Sequence, residues 1–221
     1  MVFQSETVRS LFSQNVREHS SIILNPVSVS CERVGGSHRV VHVGRLTPQK
    51  NQAMLIRAFG EFHRTHRDFT LSIYGEGELE EELRALADSL GLKNAVQFHG
   101  QVQDVHAAIA DAEVFALSSN YEGLSNALLE CMMMGFPCIS TRCEGSVDVI
   151  HSGKNGVLVD VGSEEQMTGA LALLAENATM REALGAEARK SSEGFQAKRI
   201  IGQWEQLIAQ LSGLDANTGT F

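Results

Sequence analysis

No stretch of about 18 apolar residues occurs in this 221-residue sequence, so none of it reads as a membrane-spanning helix. The N-terminal residues lack a cationic start followed by an apolar run, which argues against a secretory signal and for a cytoplasmic protein. An excess of positive charge is also missing. Eighteen Lys and Arg face 27 Asp and Glu, a formal net charge of -9, which excludes a broad basic surface for nucleic acid. A phosphate needs less, because one or two local cations and a few backbone amides can hold it. Cysteine is scarce. Cys31, Cys131, Cys138 and Cys143 match no common zinc-ligand spacing, even with His151 added, and read as reduced, mostly core residues. His99 and His106 are isolated, with no histidine partner at helical spacing, so no metal site is expected.

What is present is an alternation. Short apolar runs at 40–43, 69–74, 95–98, 114–117, 137–141 and 156–159 are mostly poor in charge, as strands covered on both faces are. Between them lie amphipathic stretches at 52–66, 79–90, 105–111, 125–134 and 163–176. In the second of these, Leu79, Leu83, Leu86, Ala87 and Leu90 share one face while glutamates occupy the other. This pattern predicts an α/β fold over residues 30–194: a doubly wound, mostly parallel sheet with helices on both faces. Residues 1–29 offer a helix at 5–14 and a strand at 21–24, too little to bury a core alone. A helix at 180–190 is followed by another over 195–212, whose stripe of Phe195, Ile200, Ile201, Trp204, Leu207, Ile208 and Leu211 needs a partner surface. Residues 213–221 are expected to be disordered.

Four segments carry chemistry. After the first strand, Gly44 permits close approach to the backbone, Arg45 offers a planar fork for phosphate oxygens, and Lys50 a mobile point charge. Alone, that loop reads as two solvated cations. After the second strand, Tyr74-Gly75-Glu76-Gly77-Glu78 lacks the third glycine of a dinucleotide fingerprint, since Glu80 stands there, and ends in acids. A tight turn beside the site is the better account. After the strand at 114–117, the amides of Gly123, Leu124 and Ser125 lie at a helix N-terminus, where an anion is favoured. Glu122 precedes them, and Glu130 follows eight residues after Glu122, placed to accept hydrogen bonds from a diol such as ribose. Spacing alone leaves Glu122 equally readable as a helix-dipole acid and Glu130 as a surface residue. The last segment, a turn at 140–146 followed by Lys154-Asn155-Gly156, reads mainly as structural.

In order, these segments resemble the C-terminal domain of GT-B glycosyltransferases, specifically the large retaining family 4, from about Asn25-Pro26-Val27 to Trp204. The resemblance rests on VGRLTPQKN at 43–51, YGEGE at 74–78, VQFHG at 96–100, the Glu122–Glu130 spacing and the small-residue turn before Asp148. Two departures are Asp148, where glutamate is common, and the Cys-Met-Met-Met run after Glu130. The resemblance implies that Arg45 and Lys50 contact a donor diphosphate and that Glu122 lies against the donor sugar. It further implies that Glu130 binds ribose, that the amides of Gly123, Leu124 and Ser125 hold phosphate and sugar, and that the base rests near Phe98 and Val102. Gly44 lines the same site. No metal or other cofactor is implied; the partners are a nucleotide diphosphate sugar, UDP-linked before GDP- or ADP-linked, and a glycan or lipid-linked acceptor. On this resemblance residues 1–29 are the end of an acceptor domain and 195–212 a crossover helix back to it. Peripheral membrane association of the full-length enzyme and self-association of this chain are further expectations. A nucleotide-sugar 2-epimerase and a non-catalytic nucleotide-binding module are the competing readings.

Overall fold

The computed structural model describes residues 1–212. The expected disordered tail at 213–221 lies outside the described residues. The chain opens with a two-stranded parallel pair, β1 (Val2–Phe3) and β2 (Ser21–Ile22), separated by α1 (Glu6–Ser10) and α2 (Gln14–Glu18). The main body then runs β3 (Arg39–Val43), α3 (Gln52–His63), β4 (Thr70–Tyr74), α4 (Glu80–Ser89), β5 (Val96–Phe98) and α5 (Val105–Ile109). It continues through β6 (Val114–Leu117), α6 (Asn126–Met134), β7 (Cys138–Thr141), α7 (Glu144–Val149), β8 (Val157–Val159) and α8 (Glu164–Glu176). Two helices close the described chain, α9 (Ala178–Ser191) and α10 (Ala197–Ser212), with a 3-10 turn, Ser192–Phe195, between them.

The six main strands form one parallel sheet in the order β5-β4-β3-β6-β7-β8. The expected doubly wound sheet is therefore present, and each of its strands falls within a residue or so of an apolar run. Its order reverses between β3 and β6, and in such sheets ligands bind beyond the strand ends at that point. Phe59 and Phe62 of α3, Leu83 of α4 and Leu171 of α8 fill the core on one face. Ile109, Leu128, Met132 and Phe136 fill the other, joined by Phe195. Burying each such side chain contributes roughly 1.5–3 kcal/mol, enough to fix both helical layers on the sheet.

The ends depart from the sequence reading. The helix expected at 5–14 is broken into α1 and α2, and neither short helix buries a residue. Without an apolar face against a partner, a short helix has little to extend it, and Ser13 restarts the second one. The strand expected at 21–24 shortens to Ser21–Ile22 because β1 offers only two residues to pair with. These elements dock on the main body through Asp148 in α7. Its carboxylate accepts from the Ser5 hydroxyl at 2.5 Å, the Thr7 amide at 3.1 Å and the Thr7 hydroxyl at 2.5 Å. At the other end, Phe195 leaves the expected helix and is buried in the 3-10 turn. Ile200 is buried too, but Ile201, Trp204, Ile208 and Leu211 stand exposed on α10. No helix among the described residues is long and apolar enough to cross a membrane.

Candidate functional site

The strands at the switch point deliver two loops to the same edge. The loop after β3 (44–51) and the loop after β6 (118–125) are laced together by short hydrogen bonds. The Asn120 amide donates to the Gln49 carbonyl at 2.8 Å, and the Asn120 side chain to the Pro48 carbonyl at 2.8 Å. Ser118 Oγ donates to the Lys50 carbonyl at 2.8 Å, and Asn51 Nδ2 to Asn120 Oδ1 at 2.8 Å. Because these partners are mostly main chain, the two loops hold a fixed relation whatever their tips carry.

The loop after β4 closes on the first of them. Gly75 has φ +125°, and a Cβ there would sit 2.2 Å from the Gly44 carbonyl oxygen, so only glycine fits. The tight turn expected at Tyr74–Glu78 is thus a backbone-to-backbone contact with Gly44. On the far side, a Cβ on Gly145 would lie 2.1 Å from the Gly123 carbonyl oxygen, and the Gly145 amide donates to the Glu122 carbonyl at 3.0 Å. Glycine at both contacts lets the segments after β3, β4, β6 and β7 share one edge.

Between the loops after β3, β4 and β5 opens a cleft of about 570 Å³, lined by Val43, Gly44, Arg45, Tyr74, Gly75, Glu76, Gly100, Gln101, Val102 and Val105. Arg45 is exposed at its mouth, and its side chain pairs with no other described residue. Its carbonyl is fixed from below, accepting from Gln52 Nε2 at 2.8 Å. The same amide lies 3.2 Å from His42 Nε2, and His42 Nδ1 lies 2.9 Å from the Ala116 carbonyl. A carbonyl can only accept, so Nδ1 carries the proton and Nε2 accepts from Gln52. Burial pushes the His42 pKa down to about 4, which keeps the ring neutral and this chain of bonds intact at neutral pH.

Lys50 and Glu122 are brought together. The ammonium forms an ion pair with the carboxylate, which also accepts from Ser119 Oγ at 3.0 Å. Side-chain exposures of 12% and 7% make this a largely desolvated pair, one that needs both members. The amides of Gly123, Leu124 and Ser125 donate to no other described residue, while Ser125 Oγ caps α6 by accepting from the Leu128 amide. The Leu124 side chain is buried in the second core, so only its backbone faces the edge. Glu130 lies on α6 beside a recess it shares with Val43, Val105 and His106, and the first two also line the cleft. Its Oε2 is 3.4 Å from His106 Nε2.

Of the segment Phe98–Val102 expected near the base, the Phe98 side chain faces away from the cleft. Its ring packs on the first core under the Arg84 guanidinium, 4.7 Å from the ring centroid, and does not line the cleft. Alternation along β5 turns it to the opposite side, and Gly100, Gln101 and Val102 make the wall instead. The sequence reading also missed His42, Gln52 and His106. A histidine inside the charge-poor run 40–43 was the available signal for His42; nothing in the spacing singles out the other two. Among the described residues no group of three His, Cys, Asp or Glu side chains could hold a metal ion. All four cysteines are free; Cys131, Cys138 and Cys143 are buried, and burial raises their thiol pKa values.

Comparison with known proteins places these features in a family. Residues 32–191 match the family model described as glycosyl transferases group 1. The chain is 31% identical over 171 residues to the lipopolysaccharide core biosynthesis glycosyltransferase LpsE of Rhizobium meliloti, covering 77% of this chain and 49% of the relative. It is 33% identical over 162 residues to a Campylobacter jejuni N-acetylgalactosaminyltransferase acting on a diphospho-undecaprenol acceptor, covering 73% and 44%. The chain therefore spans about half the length of such curated relatives. Among solved structures, Anabaena HepE in complex with UDP and glucose superimposes with a TM-score of 0.83 at 21% identity, covering 96% of this chain and 63% of that one. By its match over residues 32–191, the chain belongs to the glycosyl transferases group 1, the retaining family 4 of the GT-B fold.

Proposed function

We propose that this chain is the donor-binding part of a retaining glycosyltransferase that moves a hexose or N-acetylhexosamine from a UDP-sugar to a glycan or lipid-linked acceptor in surface polysaccharide assembly. The observation that carries the reading is the cleft beyond the ends of β3, β4 and β5, with Arg45 at its mouth pairing with no other described residue. As the glycosidic bond breaks, negative charge grows on the leaving diphosphate. Arg45, Lys50 and the amides of Gly123–Ser125 supply a preorganised positive field for that charge, without assigning a step to a divalent cation. Glu122 neutralises Lys50 until a donor arrives and then faces the donor sugar. Glu130 takes the ribose hydroxyls, and Gly100–Val102 seat the base through backbone groups. The acceptor belongs to a further domain, which the segment 1–29 and the exposed stripe of α10 adjoin. The names of the Rhizobium and Campylobacter relatives and the UDP held by HepE support the substrate class.

The test is a thermal-shift screen of UDP-, GDP- and ADP-linked sugars. A ligand at 100 times its Kd stabilises the native state by about 2.7 kcal/mol, a readable rise in Tm. The expected result is a rise with UDP-sugars that Arg45→Ala abolishes. No response to any nucleotide sugar, or a response that Arg45→Ala leaves intact, overturns the proposal.

A further inference from the structure

Glu130 does not stand alone on α6. His106 faces it from α5, with Nε2 3.4 Å from Glu130 Oε2 and side-chain exposures of 16% and 26%. The other ring nitrogen is also engaged: Nδ1 accepts the backbone N–H of Ser30 at 3.2 Å. Ser30 Oγ lies farther from the same nitrogen, at 3.4 Å, and the shorter amide contact favours one tautomer. A backbone amide can only donate, so Nδ1 is unprotonated, and the proton of the neutral ring sits on Nε2, facing Glu130. Ser30 is itself tied down, since its hydroxyl donates to Asp104 at 3.0 Å, and Asp104 caps α5 through the Ala107 amide at 3.1 Å. Glu130 Oε1 has no hydrogen-bond partner among the described residues. One carboxylate oxygen is thus held while the other stays available.

We propose that His106 is a positioning residue for Glu130, and that the seat of Ser30, in the segment leading into β3, governs it by fixing the imidazole tautomer. The proposal rests on the reading of Glu130 as the ribose carboxylate. Its consequence is that nucleotide affinity depends on how the segment before the sheet lies. If Ser30 lifts away, the ring can turn or exchange tautomers, and Glu130 loses its orientation. Arrangements of this kind, in which a histidine's far nitrogen is held by the main chain, orient ligands at many sites.

The experiment measures calorimetric affinity of the 221-residue chain for UDP and for dideoxyuridine diphosphate, which lacks both ribose hydroxyls. Glu130→Ala should lower UDP affinity about tenfold and erase the preference for UDP over the analogue. His106→Leu should lower UDP affinity severalfold with no change for the analogue. His106→Gln, whose amide nitrogen occupies the place of Nε2, should restore most of the loss, and His106→Asn should not. If Glu130→Ala erases the preference but His106→Leu keeps it, the positioning role is overturned and the ribose reading stands. If Glu130→Ala keeps the preference, the ribose reading falls and the inference with it. Ring-nitrogen NMR of the ligand-free chain gives an independent check: a His106 protonated on Nδ1 in its neutral form overturns the proposal whatever the affinities.

Discussion

The Lys50 ammonium and the Glu122 carboxylate, 72 residues apart in sequence, close an ion pair where the β3 and β6 loops meet. Both side chains are largely desolvated, so removing one charge strands the other. Glu122→Gln and Lys50→Met are each expected to destabilise the fold by about 3 kcal/mol. The double variant should cost clearly less than the sum of the two. Urea denaturation of the four proteins checks this, and strict additivity would show that the charges do not interact.

Two neighbouring glycines should respond oppositely to alanine. A Cβ on Gly145 meets the Gly123 carbonyl at 2.1 Å, so Gly145→Ala forces the loops apart and should cost about 2 kcal/mol or more. A Cβ on Gly123 meets nothing within 4 Å. Gly123→Ala should therefore leave stability within about 0.5 kcal/mol of the parent. It should still weaken nucleotide-sugar binding, because the methyl group stands beside the proposed phosphate amides. Melting curves with and without UDP-sugar separate the two effects.

His42 makes stability depend on pH. Its pKa falls from 6.5 to about 4 on folding, so the unfolded chain binds the extra proton between those values. Stability is full above pH 6.5, is lost as pH falls toward 4, and levels off below; the whole window is worth about 3 kcal/mol. His63 and His99 shift in the same direction but are more exposed and contribute less. His42→Gln should flatten the decline in Tm over this window. A slope equal to the parent's would mean that other groups cause it.

Arg45 is exposed and supports nothing in the core, so Arg45→Ala should leave Tm unchanged. For the proposed transfer it should cost on the order of 2–4 kcal/mol of transition-state stabilisation, the range for losing one preorganised donor. Steady-state turnover with a UDP-sugar reads the effect, and near-parental turnover sinks the assignment.

Asp148 holds the N-terminal elements through Ser5 and Thr7, whose hydrogen bonds outweigh its burial and lower its pKa. Asp148→Ala should release residues 1–22 while leaving the six-stranded sheet folded. Hydrogen exchange should show faster exchange confined to that segment, by about tenfold or more. Loss of protection across β3 and β6 would instead assign Asp148 to the core. For the parent, the same anchor is present above pH 3.8, the pKa without these bonds, and is lost as pH falls through the lowered folded value.

The strands and most helices could be read from the sequence because burial on both faces leaves charge-poor runs, and α4 shows its glutamate face plainly. The ends could not. α1 and α2 bury nothing, and α1 is held by contacts of Ser5 and Thr7 with Asp148 that no local pattern encodes. Within the site, Arg45, Lys50, Glu122 and Glu130 were visible as charges beside strand ends. Their partnerships were not. The Lys50–Glu122 pair, the turning of Phe98 toward Arg84 and the His106–Glu130 contact each join residues from different strand-helix units. Only the sheet order brings those units together.

Main chain meets main chain where Gly75 abuts Gly44, and the cleft wall there is a frame with no side chain in it. Gln101 and Val102 follow Gly100, whose carbonyl accepts from the Gly75 amide at 2.8 Å, so the neighbouring loop is tied to this frame by its main chain. Because these links are main chain, side-chain variation at those two positions leaves the scaffold bearing Arg45 in place. The cleft wall is thus a fixed main-chain frame whose side chains can be exchanged one at a time.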